Sequence, residues 1–413
     1  MSETAVNTAS SLEIRRDFLR RSLIGAGLVS VGSSSAWAQS LPAVPANPQG
    51  SEGLQTIASL AALGPLQAPD ANGLRLPSGF SSRVIARSGQ KVASTGYTWH
   101  STPDGGACLA SGDGGWIYLS NCELDGGKGG VSAIRFNSTG GITSAYSICS
   151  GTSRNCVGGM SPWKTWLSCE EVDRGRVVEC DPFGQKAPVV RNALGWFDHE
   201  ALTFDTTTGF IYLTEDKSDG RFYRFRPTRA NDLSSGTLEV ARRVGSAAPY
   251  SLQWLSVPTP NPSSSGTRTR KQVSSSSSFN GGEGCWFHKG VVYFTTKGDN
   301  RVWAYETAAN RLSILYDDNT ASNPVLTGVD NVIVSALGDV YVAEDGGDMQ
   351  ICVIRPSGEV APIVKLEGHN ASEMTGIAFS PDGSRLYFSS QRGTTGSGAN
   401  GVSFEVRGPF LGI

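Results

Sequence analysis

The sequence predicts an all-β chain folded as a β-propeller of about six blades, each a four-stranded antiparallel sheet. Three observations carry this reading. Short β-rich runs alternate with glycine turns, and no segment keeps a helical period for long. The 51 glycines and the 38% of hydrophobic residues are spread along the 413 positions instead of massed into spans. One unit also recurs through residues 76–413: a strand opened by an acid, a glycine turn, a Tyr/Phe-rich strand ending in a polar residue, and a third strand. Sheets repeated at intervals of roughly 40 to 60 residues mark a propeller, whose radial repetition leaves only short, protected edges.

Residues 1–38 read as an export signal. Within Ser11–Ala38, the run Arg15-Arg16-Asp17-Phe18-Leu19-Arg20 looks like a twin-arginine motif. A weakly apolar stretch, Leu23–Val31, and an A-x-A site, Ala36-Trp37-Ala38, follow it. The expected partner is therefore the twin-arginine export machinery, and the expected location is the periplasm or the outside of the cell. The apolar stretch is too short to cross a bilayer, so no membrane span is expected in the mature protein. Residues 39–72, rich in Ala, Pro, Ser and Gly, read as an extended linker, and residues 73–413 as the propeller domain. Inside it, the serine-rich stretch Pro258–Ser278 reads as a solvent-exposed loop. The eight cysteines include no C-x-x-C pair, which argues against zinc ribbons and thioredoxin-like chemistry. In an oxidising compartment an even count points to disulfides, whose pairing spacing does not give.

The repeats align as follows. HEALTF at 199–204 leads to GFIYLTED at 209–216 and RFYRF at 221–225. GEGCWF at 282–287 leads to GVVYFTTK at 290–297 and NRVWAY at 300–305. VDNVIV at 329–334 leads to GDVYVAED at 338–345 and QICVI at 350–354, and EMTGIAF at 373–379 leads to RLYFSSQ at 385–391. Two earlier units fit more loosely: GGWIYLSNCE at 114–123 before VSAIRF at 131–136, and NCVGG at 155–159 before TWLSCEE at 165–171 and GRVVEC at 175–180.

In a propeller, equivalent positions of every blade converge on one end of the central channel. Glu200, Glu283, Asp330 and Glu373, each at the start of an innermost strand, are thus expected to form a ring, joined by Glu123, Glu170, Glu215 and Glu344 from the second polar position. Two carboxylates about 5 Å apart repel by roughly 3 kcal/mol at an effective dielectric near 20. Several such pairs would consume much of a domain's net stability of about 5–15 kcal/mol. Such acids are either protonated or face cations, and cations are the simpler answer. Oxygen ligands suit calcium, while a thiolate such as that of Cys169 draws iron or zinc. The competing reading is that these acids cap turns between strands.

The run WKTWLSCEE at 163–171 resembles the PhoX family of twin-arginine-exported alkaline phosphatases. Further matches are GLRLPSGF at 73–80, PDGG at 103–106, NCVGG at 155–159, His199-Glu200-Ala201, Thr214-Glu215-Asp216, SPDG at 380–383 and Gln391. The resemblance implies a propeller whose channel holds an iron pair and calcium ions and hydrolyses phosphomonoesters. It implies Cys169 as an iron ligand beside Glu170, with Glu200, Glu283, Asp330 and Glu373 as the remaining carboxylate ligands and Glu215 and Glu344 near them. Asn121 matches a family N-H-E motif that contacts the site. That motif reads Asn121-Cys122-Glu123 here, and an arginine-bearing R-P-E reads Gly281-Gly282-Glu283.

A formal net charge of −2, with 17% charged residues, leaves no basic excess for contacts to a nucleic-acid backbone. Four histidines are too few for a His-rich zinc phosphatase, and no G-x-S-x-G elbow supports an esterase. The leading expectation is a periplasmic phosphomonoesterase acting on a small phosphorylated substrate through calcium and iron, with Lys297, Gln391 and Arg392 contacting the phosphate. The alternatives are a calcium-stabilised propeller that binds a ligand or protein partner without turnover, and a calcium-dependent lactonase.

Overall fold

The computed structural model describes residues 60–321 and 324–410. The export-signal reading and residues 39–59 of the expected linker lie outside the described residues. Six antiparallel sheets follow one another along the chain. Blade 1 is built from Pro103–Ala110, Trp116–Cys122, Gly129–Phe136 and Ile142–Thr152, and blade 2 from Asn155–Met160, Trp166–Glu170, Val177–Cys180 and Val189–Val190. Blade 3 comprises His199–Phe204, Ile211–Glu215, Phe222–Pro227, Gly236–Val244 and a fifth strand, Ser251–Ser256. Blade 4 comprises Gly282–His288, Val291–Thr296, Arg301–Glu306 and Arg311–Asp317. Blade 5 holds Val329–Val334, Val340–Glu344, Gln350–Ile354 and Val360–Leu366, to which Leu74–Arg75 adds an edge strand. Blade 6 has three strands from the end of the chain, Met374–Phe379, Arg385–Ser390 and Val402–Arg407.

The fourth strand of blade 6 comes from the beginning, where Ser81–Arg87 pairs with Val402–Arg407 in a register from Ser81 opposite Arg407 to Arg87 opposite Val402. The two ends of the chain thereby close the ring, and closure removes the open sheet edge that would otherwise invite aggregation. The first strand of each blade touches the first strand of the next, all the way round, so these six strands line the axis.

Second strands such as Ile211–Glu215 and Val340–Glu344 are buried at every residue because a neighbouring blade covers each face. That is why they read as nearly continuous apolar runs instead of alternating ones. The hydrophobic core is correspondingly split into six clusters, one in each gap between adjacent blades. Aromatic rings fill these gaps, as where Phe222 of blade 3 stacks on Phe294 of blade 4 at 4.2 Å.

Two expectations change. Residues 60–72, read as the end of an extended linker, are docked on the propeller. Leu63 is buried with Leu74 and Leu76 against blades 5 and 6, the Gln67 N–H donates to the Leu76 carbonyl at 2.9 Å, and Asp70 accepts the N–H groups of Asn72 and Leu74. The serine-rich stretch is a strap whose serines are mostly exposed but which is pinned by buried Thr269 and by Arg270. The Thr269 hydroxyl donates to the Trp196 carbonyl at 2.6 Å, and Arg270 reaches Asp198, Glu215 and Asp219.

Deleting residues 1–87 removes the strand that closes blade 6 and bares the Val402–Arg407 edge. We expect the monodisperse peak in size-exclusion chromatography to give way to aggregate; an unchanged peak would contradict closure by this strand.

Candidate metal centre

The innermost strands share a departure from regular pairing. In blades 1 to 5 one extra residue is inserted near the strand's start: between Pro103 and Gly106, Asn155 and Gly158, His199 and Leu202, Gly282 and Cys285, and Val329 and Val332. A β-bulge of this kind re-aims the side chain that opens it. Those side chains are Asp104, Cys156, Glu200, Glu283 and Asp330. In blade 6 the shift falls between Thr375 and Ala378, so the matching residue is Gly376, and Glu373 enters from just before the strand.

Three groups result, each with its ligand atoms within 4.8 Å of one another: Cys156, Glu171 and Glu200; Glu200, Glu283 and Asp330; and Asp104, Glu123 and Glu373. Cys156 links them, with its Sγ 3.0 Å from Glu200 Oε1 and 3.7 Å from Asp104 Oδ2. Gln391 Nε2 ties the third group together by donating to Asp104 at 2.6 Å and to Glu123 at 2.7 Å.

The bulges are held from the neighbouring blade. Asn121 donates to the carbonyls of Cys156 and Val157 at 2.8 and 2.7 Å, while its own carbonyl accepts from Trp166 Nε1 and Ser168 Oγ. Thr214 and Thr295 likewise donate to the carbonyls of Glu283 and Asp330. Blade contact here needs glycine. Gly376 has φ +63, and a Cβ on it would lie 2.5 Å from the Asp104 carbonyl oxygen.

Sequence reasoning placed Glu200, Glu283, Asp330, Glu373 and Glu123 at the axis, and the structure brings them together there. Glu170, Glu215 and Glu344 are elsewhere. Glu170 accepts the N–H groups of Ser153 and Arg176 at 3.0 and 3.1 Å, and Glu344 those of Thr327 and Gln350 at 2.8 and 3.0 Å. Glu215 accepts the N–H of Arg221 and the hydroxyl of Tyr223, and faces Arg270. These three fasten turns. The residue after each, Glu171, Asp216 or Asp345, lies just past the strand's end and faces the channel groups instead. Cys169 is fully buried in the apolar gap between blades 2 and 3, and burial pushes its thiol well above the usual range. The thiol at the axis is Cys156.

Positive side chains rim the acids. Lys297 Nζ lies 2.8 Å from Glu283 Oε1 and 2.9 Å from Asp216 Oδ2. Its side chain crosses the space beside Gly281, where an added Cβ would stand 3.0 Å from Lys297 Cγ. Arg392 Nη1 is 2.9 Å from Glu373 and donates to Gln391 Oε1 at 2.8 Å. Arg154 Nη2 spans Glu123 at 2.7 Å and Glu171 at 2.5 Å. No histidine belongs to these groups, and His100 and His199 are buried and held neutral by desolvation, with values near 3.

Sequence reasoning missed Asp104, Cys156, Glu171, Asp216, Asp345 and Arg154. The signal for two of them was present, since Cys156 and Glu171 stand as far apart in sequence as Asp330 and Asp345.

The electrostatics are severe. Burial, followed by the charge of Glu171, Asp330 and Asp216, raises Glu200 well above the ordinary carboxyl range. Burial and then neighbouring acids raise Asp104, Glu283 and Glu373 in the same way. Asp330 is pushed up to about 7, by burial and then by Asp345, and Glu171 to about 7, by burial against the pull of Arg154. Glu200 Oε2 is buried with no hydrogen-bond partner at all. An orphaned carboxylate oxygen amid further oxygens and one thiol is a donor set that fits hard cations together with a thiophilic metal.

The family model of alkaline phosphatase PhoX matches residues 119–176 and 172–393. Among solved structures, PhoX of Pseudomonas fluorescens, determined in complex with vanadate as a transition state analogue, superimposes with a TM-score of 0.67. It is 17% identical, over 84% of this chain and 97% of that one. A Bacteroides thetaiotaomicron protein of unknown function gives a TM-score of 0.49 at 12% identity, over 79% of this chain and 76% of that one. Regucalcin of Agrobacterium tumefaciens, a calcium-binding protein, gives 0.41 at 13% identity, over 80% and 98%. Curated proteins yield no match. At 17% identity, the likeness to the Pseudomonas protein speaks for the propeller fold alone.

An acid whose value is higher in the folded chain than in the unfolded one keeps its proton on folding, so its contribution is intact at low pH and is lost as pH rises through the folded value. For Asp330 and Glu171 the window runs from about 4 to 7. Protein stripped with chelator should therefore melt at a higher temperature at pH 5 than at pH 8. Added calcium should raise the pH 8 value most; equal melting at both pH values without metal would contradict the electrostatic account.

Proposed function

The chain belongs to the PhoX family of alkaline phosphatases, which are phosphoric monoester hydrolases, and on that premise we propose that it cleaves a small phosphorylated substrate at the axial carboxylate centre with calcium and iron bound there. The observation that carries the reading is the convergence of five bulge-borne ligands from five blades, four carboxylates and one thiol, on one end of the channel. A cation-free cluster of this kind is destabilising, so its persistence in the fold is itself support for cations.

Asp104, Glu123 and Glu373 offer only oxygen, as do Glu200, Glu283 and Asp330, which suits calcium. Cys156 with Glu171 and Glu200 offers sulfur and oxygen, which suits iron. The ligand role expected of Cys169 is assigned to Cys156, and the roles expected of Glu170, Glu215 and Glu344 pass to turn fastening. Asn121 contributes by holding the Cys156 bulge in place. When bound, such cations polarise the phosphoryl group and neutralise charge on the attacking and leaving oxygens.

The protein's own groups do the rest. Gln391 fixes the distance between Asp104 and Glu123, and Lys297 and Arg392 keep the mouth from being a purely negative well that would repel a phosphate dianion. The sequence pattern Arg15–Ala38 supports delivery by the twin-arginine machinery to the periplasm or beyond.

Protein purified from an exporting host should contain iron and calcium by elemental analysis and release phosphate from p-nitrophenyl phosphate at alkaline pH. Cys156→Ser should lose iron and at least about a hundredfold in kcat, whereas Cys169→Ser should keep both, at a cost in melting temperature. Calcium without iron, and no phosphate release, would point to a non-catalytic propeller. Exchanging Arg15 and Arg16 for lysine should leave the protein in the cytoplasmic fraction; unchanged export would remove that part of the reading.

A further inference from the structure

We propose that Arg154 is the side chain that grips the substrate's phosphate, its guanidinium lying between two groups of metal-binding acids. The inference rests on the phosphomonoesterase reading and goes beyond it by naming the specificity residue. Arg154 Nη2 contacts Glu123, of the group formed with Asp104 and Glu373, and also Glu171, of the group formed with Cys156 and Glu200. No other cation described here spans two of these groups by direct ion pairs to both.

Its donors are under-used. Nη2 carries both ion pairs, and Nε is buried without a hydrogen-bond partner. Arg392, by contrast, uses Nε on the Ala371 carbonyl and Nη1 on Glu373 and Gln391, with Nη2 facing Asp345. Lys297 is a point charge already shared by Glu283 and Asp216. The Arg154 side chain is 38% exposed, so part of it is within reach of a ligand from solvent.

The backbone is arranged to put it there. Arg154 has φ +45, in the left-handed region that residues other than Gly, Asn and Asp seldom occupy. It is held by its N–H to the Leu124 carbonyl at 2.8 Å and by its carbonyl to the Glu171 N–H at 2.8 Å. With Glu123 and Glu171 engaged as ligands, Arg154 Nη2 would give up both of its ion pairs. The planar fork is then free for two phosphate oxygens, a geometry that guanidinium matches and ammonium does not.

The test uses the full-length, metal-loaded protein and two variants. Arg154→Asn tolerates the left-handed backbone, and Arg154→Lys keeps the charge without the fork. Elemental analysis should find unchanged metal content in both. Calorimetry with inorganic phosphate should show affinity about 10- to 100-fold weaker in the Asn variant, the range expected for charge-assisted hydrogen bonds. KM for p-nitrophenyl phosphate should rise in parallel, and the Lys variant should recover part of both. Wild-type phosphate affinity in Arg154→Asn would overturn the assignment while leaving the phosphatase reading intact. Loss of metal along with affinity would also overturn it, making Arg154 a prop for the acids. A wild-type protein that neither binds phosphate nor hydrolyses the ester would sink both readings together.

Discussion

The arrangement depends on one electrostatic constraint: carboxylates from every blade are forced into a space where they cannot all be charged unless positive charge joins them. Glu200 and Asp104 are each 1% exposed, so water does little to screen them. The protein meets part of the demand itself, through Lys297, Arg154 and Arg392 at the rim. What remains is a deficit at the centre, visible in the upward shift of the buried acids and in the unpartnered oxygen of Glu200. A fold could avoid that deficit with apolar residues at no loss of stability, so its presence marks a place kept for function.

The propeller turns a single local device into a site. In blades 1 to 5 a one-residue bulge near the start of the inner strand aims one side chain along the axis, and closure of the ring makes those side chains meet. Because the backbone is the same in each blade, chemistry is varied by substitution alone: carboxylates in blades 1, 3, 4 and 5, a thiol in blade 2, glycine in blade 6. Precision comes from cross-blade bonds to the bulge carbonyls, made by Asn121, Thr214 and Thr295. The polar residue one short of the end of these strands thus serves the neighbouring blade, and the residue two positions on, Glu123, Asp216 or Lys297, faces the channel groups.

The rim has its own division of labour. Arg270, delivered by the serine-rich strap, compensates Asp198 and Glu215 behind the site and is 11% exposed. Arg154 and Lys297 stand in front with 38% of their side chains open. A buried ion pair of the first kind is structural, since breaking it strands a charge; a half-open one can exchange its carboxylate for a ligand at small cost.

The amino-acid pattern alone determined the blade repeat, the all-β architecture and the presence of an acidic axis, because hydrophobic periodicity and recurring acids are local properties that alignment of the chain with itself exposes. It also placed Glu200, Glu283 and Asp330 at the axis, as their units are regular, whereas Glu373 reaches the axis from just before its strand and not from the matching position. The tertiary structure decided which neighbour of each adjacent pair faces the channel. Glu170 and Glu171, Glu215 and Asp216, and Glu344 and Asp345 are chemically alike and one residue apart, and only strand register, fixed by pairing and bulges, tells inward from outward. The choice of Cys156 over Cys169 has the same origin: both lie in blade 2, but one opens a bulge on the axis while the other packs among leucines and valines between blades. Long-range pairing made those decisions, and a linear pattern contains no term for it.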